Sequence, residues 1–175
     1  MQTAHAHGSR TGWRVWLILC TTLLPFFAIA NAVATTADLP TQCDQPRLVT
    51  LYQGATDSAV ALGITPVGVV DAWLEKPTYR YLRDALTNVE HVGLETQPNL
   101  EKVAWLNPDA IIASHFRHER IAPLLSAMAT SVYANTVYDF KTTLALVAEA
   151  SEREQQAQAL LQRWETRVAD FRQQI

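Results

Sequence analysis

The segment from His91 to Ser114, HVGLETQPNLEKVAWLNPDAIIAS, constrains the fold more than any other. It reads as a very short strand (His91–Gly93), a loop (Leu94–Pro98), a helix (Leu100–Leu106), a sharp turn at Asn107-Pro108-Asp109 and a buried strand (Ala110–Ala113). Asn99 suits the helix N-cap, where its side chain accepts an orphan amide of the first turn. Glu101 lies in that turn, where the helix dipole favours a carboxylate. Leu100, Val103, Ala104 and Leu106 give an apolar stripe, and Pro108 forbids the helix from continuing. Asp109-Ala-Ile-Ile-Ala lacks polar alternation, as expected of a strand covered on both faces. This is a strand–helix–strand unit.

The surrounding chain repeats the pattern. Arg47–Tyr52 is a short apolar strand, followed by a helix through Ala61 that Thr56 or Gln53 caps and Gly63 closes. Ile64–Asp71 is the next strand, and the two make a right-handed parallel crossover. A loop at Asp71–Leu74 leads to a helix from Pro77 to about Leu86 with Tyr79, Leu82, Ala85 and Leu86 inward. After the organising unit come a polar loop (Ser114–Glu119), a helix (Ile121–Met128), a strand (Ser131–Ala134) and a loop (Asn135–Phe140). Strands alternating with helices specify a Rossmann-like, doubly wound parallel α/β lobe. From Thr143 onward only helix is expected, restarted at a Ser151-Glu-Arg-Glu154 capping box and running to Ile175 without Gly or Pro. That last helix is about 36 Å long at 1.5 Å per residue.

The amino terminus reads as a leader. Arg10 and Arg14 precede the apolar run Val15–Ala30, no acidic residue appears before Asp38, and Ala30-Asn31-Ala32 offers a small-residue cleavage site. The run, broken by Pro25, is short of the ~20 residues a spanning helix needs. Residues 1–32 are therefore expected to be a cleaved signal peptide and 33–46 a flexible lead-in. Removing the leader leaves twelve basic against seventeen acidic residues and Cys43 as the sole cysteine. An internal disulfide is then excluded, and with no basic run nucleic acid is not an expected partner.

The wording of the organising unit carries more. Gly93, Pro98-Asn99-Leu100-Glu101 and Asn107-Pro108-Asp109-Ala110-Ile111-Ile112, together with the earlier ALGITPVGVV, resemble the periplasmic binding proteins of iron-siderophore and cobalamin ABC importers. The resemblance implies an N-terminal ligand-binding lobe over 47–141 and a helical spine over 142–175. The second lobe of such proteins would follow that spine, so the chain reads as a truncated frame, a fragment or a one-lobe relative.

Ligands of open parallel sheets sit at the carboxyl ends of the strands. The residues delivered there are Tyr52, Gln53 and Gly54; Trp73; Glu95, Thr96 and Gln97; His115, Phe116, Arg117 and His118; and Tyr138. From these we single out Tyr52, Gln53, Trp73, Gln97, Arg117, His118 and Tyr138 as ligand-binding. Arginine makes bidentate contacts to carboxylates and aromatic rings cover apolar surface. By resemblance the ligand is a ferric siderophore, citrate-like or another iron chelate, with Arg117-His118 matching the ferric-dicitrate type. Haem or cobalamin is the alternative within the family, and a secreted one-lobe interaction domain is the alternative outside it. By the same resemblance Glu101 docks on the permease of the importer, and the protein is periplasmic. No carboxylate or thiolate is spaced to complete a metal set with His91, His115 and His118, and no cofactor is expected. No nucleophile elbow, carboxylate pair or phosphate loop supports an enzyme.

Overall fold

A computed structural model describes residues 45–175. The expected signal peptide, its cleavage site, Cys43 and nearly all of the lead-in lie outside the described residues. The described chain builds a five-stranded, wholly parallel sheet in the order β3-β2-β1-β6-β7, with strands β1 (Leu48–Thr50), β2 (Gly68–Val69), β3 (Glu90–His91), β6 (Ala110–Ser114) and β7 (Thr130–Ala134). A separate two-stranded hairpin, β4 (Gly93–Leu94) with β5 (Gln97–Pro98), sits between β3 and β6 in the chain. The helices are α1 (Gln53–Ala61), α2 (Leu100–Trp105), α3 (His115–His118), α4 (Ala122–Met128), α5 (Phe140–Ser151) and α6 (Glu154–Gln174). None of the helices is long and apolar enough to cross a membrane, among the described residues.

Strand alternation divides the core into two layers. Leu48 and Ile112 point to the face covered by α1, α5 and the start of α6, where Tyr52, Ala59, Val147 and Ala157 join them. Val49, Leu51, Ile111 and Ala113 point to the opposite face, under Val103 and Leu106 of the α2 region and Leu125 of α4. Both faces being covered explains the unbroken apolar run in β6. The sheet lies close to the α2 side at Gly68, where an added Cβ would meet Leu106 Cδ1 at 2.5 Å. Arg47 ties the amino end of the sheet to α2: its Nη2 donates to the Leu106 carbonyl (2.6 Å) and its Nε to that of Asn107 (3.1 Å). These carbonyls at a helix end have no helical partner, and a cation there also suits the dipole.

Several local expectations differ from the structure. Pro77–Leu86 forms only a 3₁₀ turn at Arg80–Leu82 with further turns after it, although Leu82 and Leu86 are buried as expected. Leu82 and Leu86 hold this segment against Val69, while Tyr79 and Ala85 of the same apolar stripe are only partly buried. The polar Ser114–Glu119 stretch, expected as loop, is α3 followed by a 3₁₀ turn at Glu119–Ile121. The α1 N-cap is Tyr52, with no side-chain cap bond, rather than Thr56 or Gln53. Ser151 does not cap α6: its hydroxyl donates back to the Val147 carbonyl (2.6 Å), and the break is made by Glu152 at φ 56°. Ser151 is still a residue of α5, and the N-cap position of α6 is taken by Arg153. Asp139 caps α5, its Oδ1 accepting from Lys141 N (3.1 Å) and Thr142 N (3.2 Å), three residues earlier than the expected helix start. The Thr142 hydroxyl and these amides hold the Asp139 carboxyl below its ordinary pKa.

Candidate functional site

The chain order of the sheet reverses at β1: β2 lies on one side of it and β6 on the other. The crevice between the carboxyl ends of β1 and β6 is therefore the topological switch point, where ligands of open α/β sheets bind. The loop after β2 brings Trp73 toward this region, the β4–β5 hairpin brings Glu95, and the β6–α3 junction brings Phe116, Arg117 and His118.

Glu95 organises these groups. It is 4% exposed, and its two oxygens have different partners. Oε2 accepts a hydrogen bond from the Trp73 indole N–H (3.0 Å). Oε1 stands 2.5 Å from Arg117 Nε as an ion pair, although the N–H is not aligned on it as a hydrogen bond. The Arg117 guanidinium carbon lies 5.3 Å from the centre of the Trp73 ring and 5.6 Å from that of Phe116, within cation–π range of both. Neither Nη nitrogen of Arg117 makes a hydrogen bond among the described residues, and the ion pair to Glu95 is closest at Nε.

The hairpin that delivers Glu95 depends on Gly93, whose φ of +97° only glycine adopts freely and whose Cβ would meet the Gln97 carbonyl oxygen at 3.3 Å. Its tip is pinned from below by His118. This side chain is fully buried, accepts the Ser114 amide at Nδ1 (3.1 Å) and contacts the Glu95 carbonyl through Nε2 (2.8 Å). An amide donor on Nδ1 and a carbonyl acceptor on Nε2 require the neutral Nε2–H tautomer. Burial lowers the His118 pKa, and the Glu95 carbonyl and charge oppose that effect only in part.

The seven expected ligand residues fall into four groups. Trp73, about half exposed, and Arg117 meet at the site as described. Gln97 and Tyr138 are exposed at the carboxyl end, on the hairpin and in the turn after β7, without being drawn into the cluster. Gln53 is half-buried, with Nε2 donating to the Val70 carbonyl (3.3 Å). His118 and Tyr52 are interior residues instead of surface contacts. Tyr52 is 1% exposed, and its hydroxyl donates to Thr143 Oγ1 (3.1 Å). Burial raises its pKa, and the Glu95 charge adds to the rise. Glu101 is exposed in the first turn of α2, where Asn99 Oδ1 accepts from Lys102 N (3.0 Å) as the expected N-cap.

Glu95 is the residue that sequence reasoning passed over. The signal was present: it is the sole carboxylate in the strand-end set, just as Arg117 is the sole guanidinium. The histidines do not converge. His91 Nε2 is 3.2 Å from Thr78 Oγ1 and its Nδ1 is 3.0 Å from Asp71 Oδ1, while the His115 ring stacks on Tyr133. Among the described residues no group of three His, Cys, Asp or Glu side chains is placed to hold a metal ion. A depression of about 890 Å³ along α6, lined by Ala61, Gly63, Leu160 and Arg167, lies at the far end of α1 from this cluster. Gln156, Gln162, Arg163 and Thr166 line it too, and none of the strand-end residues does.

Comparison with known proteins agrees with the fold. Residues 48–175 match the family model described as periplasmic binding protein. The chain is 52% identical over 159 residues to the achromobactin-binding periplasmic protein of Dickeya dadantii, covering 91% of this chain and 50% of that one. It is 30% identical over 137 residues to the Fe(3+) dicitrate-binding periplasmic protein FecB of Escherichia coli, covering 74% and 44%. Among solved structures, Staphylococcus aureus SirA complexed with staphyloferrin B superposes with a TM-score of 0.73 at 43% identity, over 74% of this chain and 44% of that one. The chain thus spans about half the length of the relatives it matches. The chain belongs to the periplasmic binding protein family.

Proposed function

We propose that the strand-end cluster forms one wall of a binding site for a ferric chelate that carries carboxylates, and that the protein serves an ABC importer. The observation that carries this reading is Arg117: a guanidinium held between Trp73, Phe116 and a buried Glu95, with neither Nη nitrogen in a hydrogen bond among the described residues. Such a group offers paired N–H donors to a carboxylate, beside aromatic surface for the body of the chelate. The names of three similar proteins support the ligand class, being those of an achromobactin-binding protein, an Fe(3+) dicitrate-binding protein and a staphyloferrin B complex. Capture without chemistry is the role this suggests, and an enzyme reading has nothing to support it.

The finer readings belong to the same proposal. Arg117 and Trp73 are the principal contacts, with Gln53, Gln97 and Tyr138 at the margin. Glu101 docks on the permease: it is exposed in the first turn of α2, so its carboxylate is accessible to a basic partner. Complementing the α2 dipole would by itself be worth only about 0.3–1 kcal/mol to Glu101. Residues 1–32 direct export and are removed, which places the mature protein outside the cytoplasm.

The experiment is titration of the full chain with ferric citrate, followed by tryptophan emission. Saturable quenching that Trp73→Phe abolishes is expected. Quenching that persists in Trp73→Phe would move the site elsewhere. Cell fractionation and amino-terminal sequencing test export: mature protein beginning near Val33 is expected, and exported protein that retains Met1 contradicts cleavage.

A further inference from the structure

The ligand reading uses Arg117 and Trp73 but leaves Glu95 without a task, although it is the carboxylate that touches both. We propose that Glu95 is a positioning and specificity-determining residue, which holds Arg117 by Nε and Trp73 by its indole N–H and sets the charge of the site. This rests on the ferric-chelate reading for the identity of the ligand, and on the geometry alone for the positioning.

A free arginine at a crevice mouth explores many rotamers, and ordering it on binding costs entropy. Here Oε1 stands against the Nε edge of the guanidinium, while the flanking aromatic rings restrict it further. The edge taken is Nε, so the two Nη nitrogens are the donors left for a ligand. Oε2 accepts from Trp73 Nε1, which fixes the indole relative to the same guanidinium. The carboxylate is itself located through its backbone, by the His118 contact to the Glu95 carbonyl. Both ligand groups are thus referred to one buried point at the tip of the β4–β5 hairpin.

The charge has a separate consequence. Glu95 and Arg117 together are neutral, so the pair does not attract small anions as a lone arginine would. A ligand gains from Arg117 only when its carboxylate reaches the Nη donors directly, which favours chelates with projecting carboxylates over compact anions. Glutamine is the informative replacement. It keeps the size and one acceptor for Arg117, removes the charge, and turns an amide donor toward the Trp73 N–H.

The test combines two readouts on the full chain, with Glu95→Gln against the parent. In ¹H–¹⁵N spectra without ligand, the Trp73 indole and Arg117 Nε–H signals should both shift, the indole being assigned through Trp73→Phe. In titrations with ferric citrate and with Fe³⁺–Desferal, the preference for ferric citrate should change at least fivefold, and 0.1 M sodium chloride should weaken ferric citrate binding more in the variant than in the parent. Glu95→Asp, which keeps the charge, should return the salt dependence toward that of the parent. Unmoved signals, or a preference unchanged within twofold, would overturn the proposal. Binding of neither chelate by the parent contradicts the ligand reading instead, and the two signals, which need no ligand, then decide whether Glu95 positions Arg117 and Trp73.

Discussion

His118 Nε2 lies 2.8 Å from the backbone carbonyl of Glu95, joining the β6–α3 junction to the β4–β5 hairpin across 23 residues of chain. The contact is buried, and the other ring nitrogen is occupied by the Ser114 amide at 3.1 Å. The histidine is a fixed pin beneath the site.

Replacing His118 by Ala therefore strands two buried backbone groups and opens a cavity. Each unsatisfied group costs roughly 1–3 kcal/mol, so a loss of about 2–5 kcal/mol is expected in urea denaturation.

The same residue gives stability a pH dependence. Its folded-state pKa is lowered by burial, so the unfolded chain binds more protons once pH falls below the ordinary histidine value of about 6.5. The His118 contribution is complete above that pH and is lost as pH falls toward the lower folded value. Denaturation midpoints compared at pH 7.5 and about 5.5 should show a decrease that His118→Ala reduces; an equal decrease in both proteins would assign it to other groups.

Arg117→Ala should cost stability as well as binding, because it leaves Glu95 buried without its counter-charge. We expect up to about 3 kcal/mol, the low end for a buried pair, since the guanidinium reaches solvent. Adding Glu95→Gln should recover part of the loss, and thermal unfolding of the two single variants and the double variant measures this. Strict additivity would show that the two side chains do not act as a pair.

Gly68→Ala probes the fold away from the site. The new methyl group would lie 2.5 Å from Leu106 Cδ1, 3.2 Å from Val92 Cγ1 and 3.3 Å from Val49 Cγ2. The Leu106 end can move but the two buried valines give little room, so about 1–3 kcal/mol of destabilisation is expected, with the ligand site unaltered.

Much of this fold was legible because its elements declare themselves locally. Asn99 before Leu100 marks the start of α2, Pro108 lies just past its end, and the apolar run Ala110–Ala113 announces a strand covered on both faces. The parallel sheet and the strand-end location of the site then follow from topology. What was not legible depends on tertiary partners. Tyr52 and His118 look like binding residues by type, and only packing shows that Thr143, Ser114 and the Glu95 carbonyl already engage them. Glu95 reads as a solvated hairpin carboxylate until Trp73 and Arg117, 22 residues to either side, are seen to converge on it. The Pro77–Leu86 segment has apolar residues at helical spacing yet packs only Leu82 and Leu86, so turns replace the helix.

The central claim is that Arg117 receives a carboxylate of a ferric chelate, and equilibrium dialysis of the full chain against radiolabelled ferric citrate tests it most directly. Losing a charge-assisted contact costs about 1.5–3 kcal/mol, or roughly ten- to over a hundredfold in Kd. The parent chain should therefore retain iron saturably, and Arg117→Ala should need at least tenfold more ferric citrate for the same occupancy. Retention that is equal in the two proteins, or absent from the parent, would contradict the account.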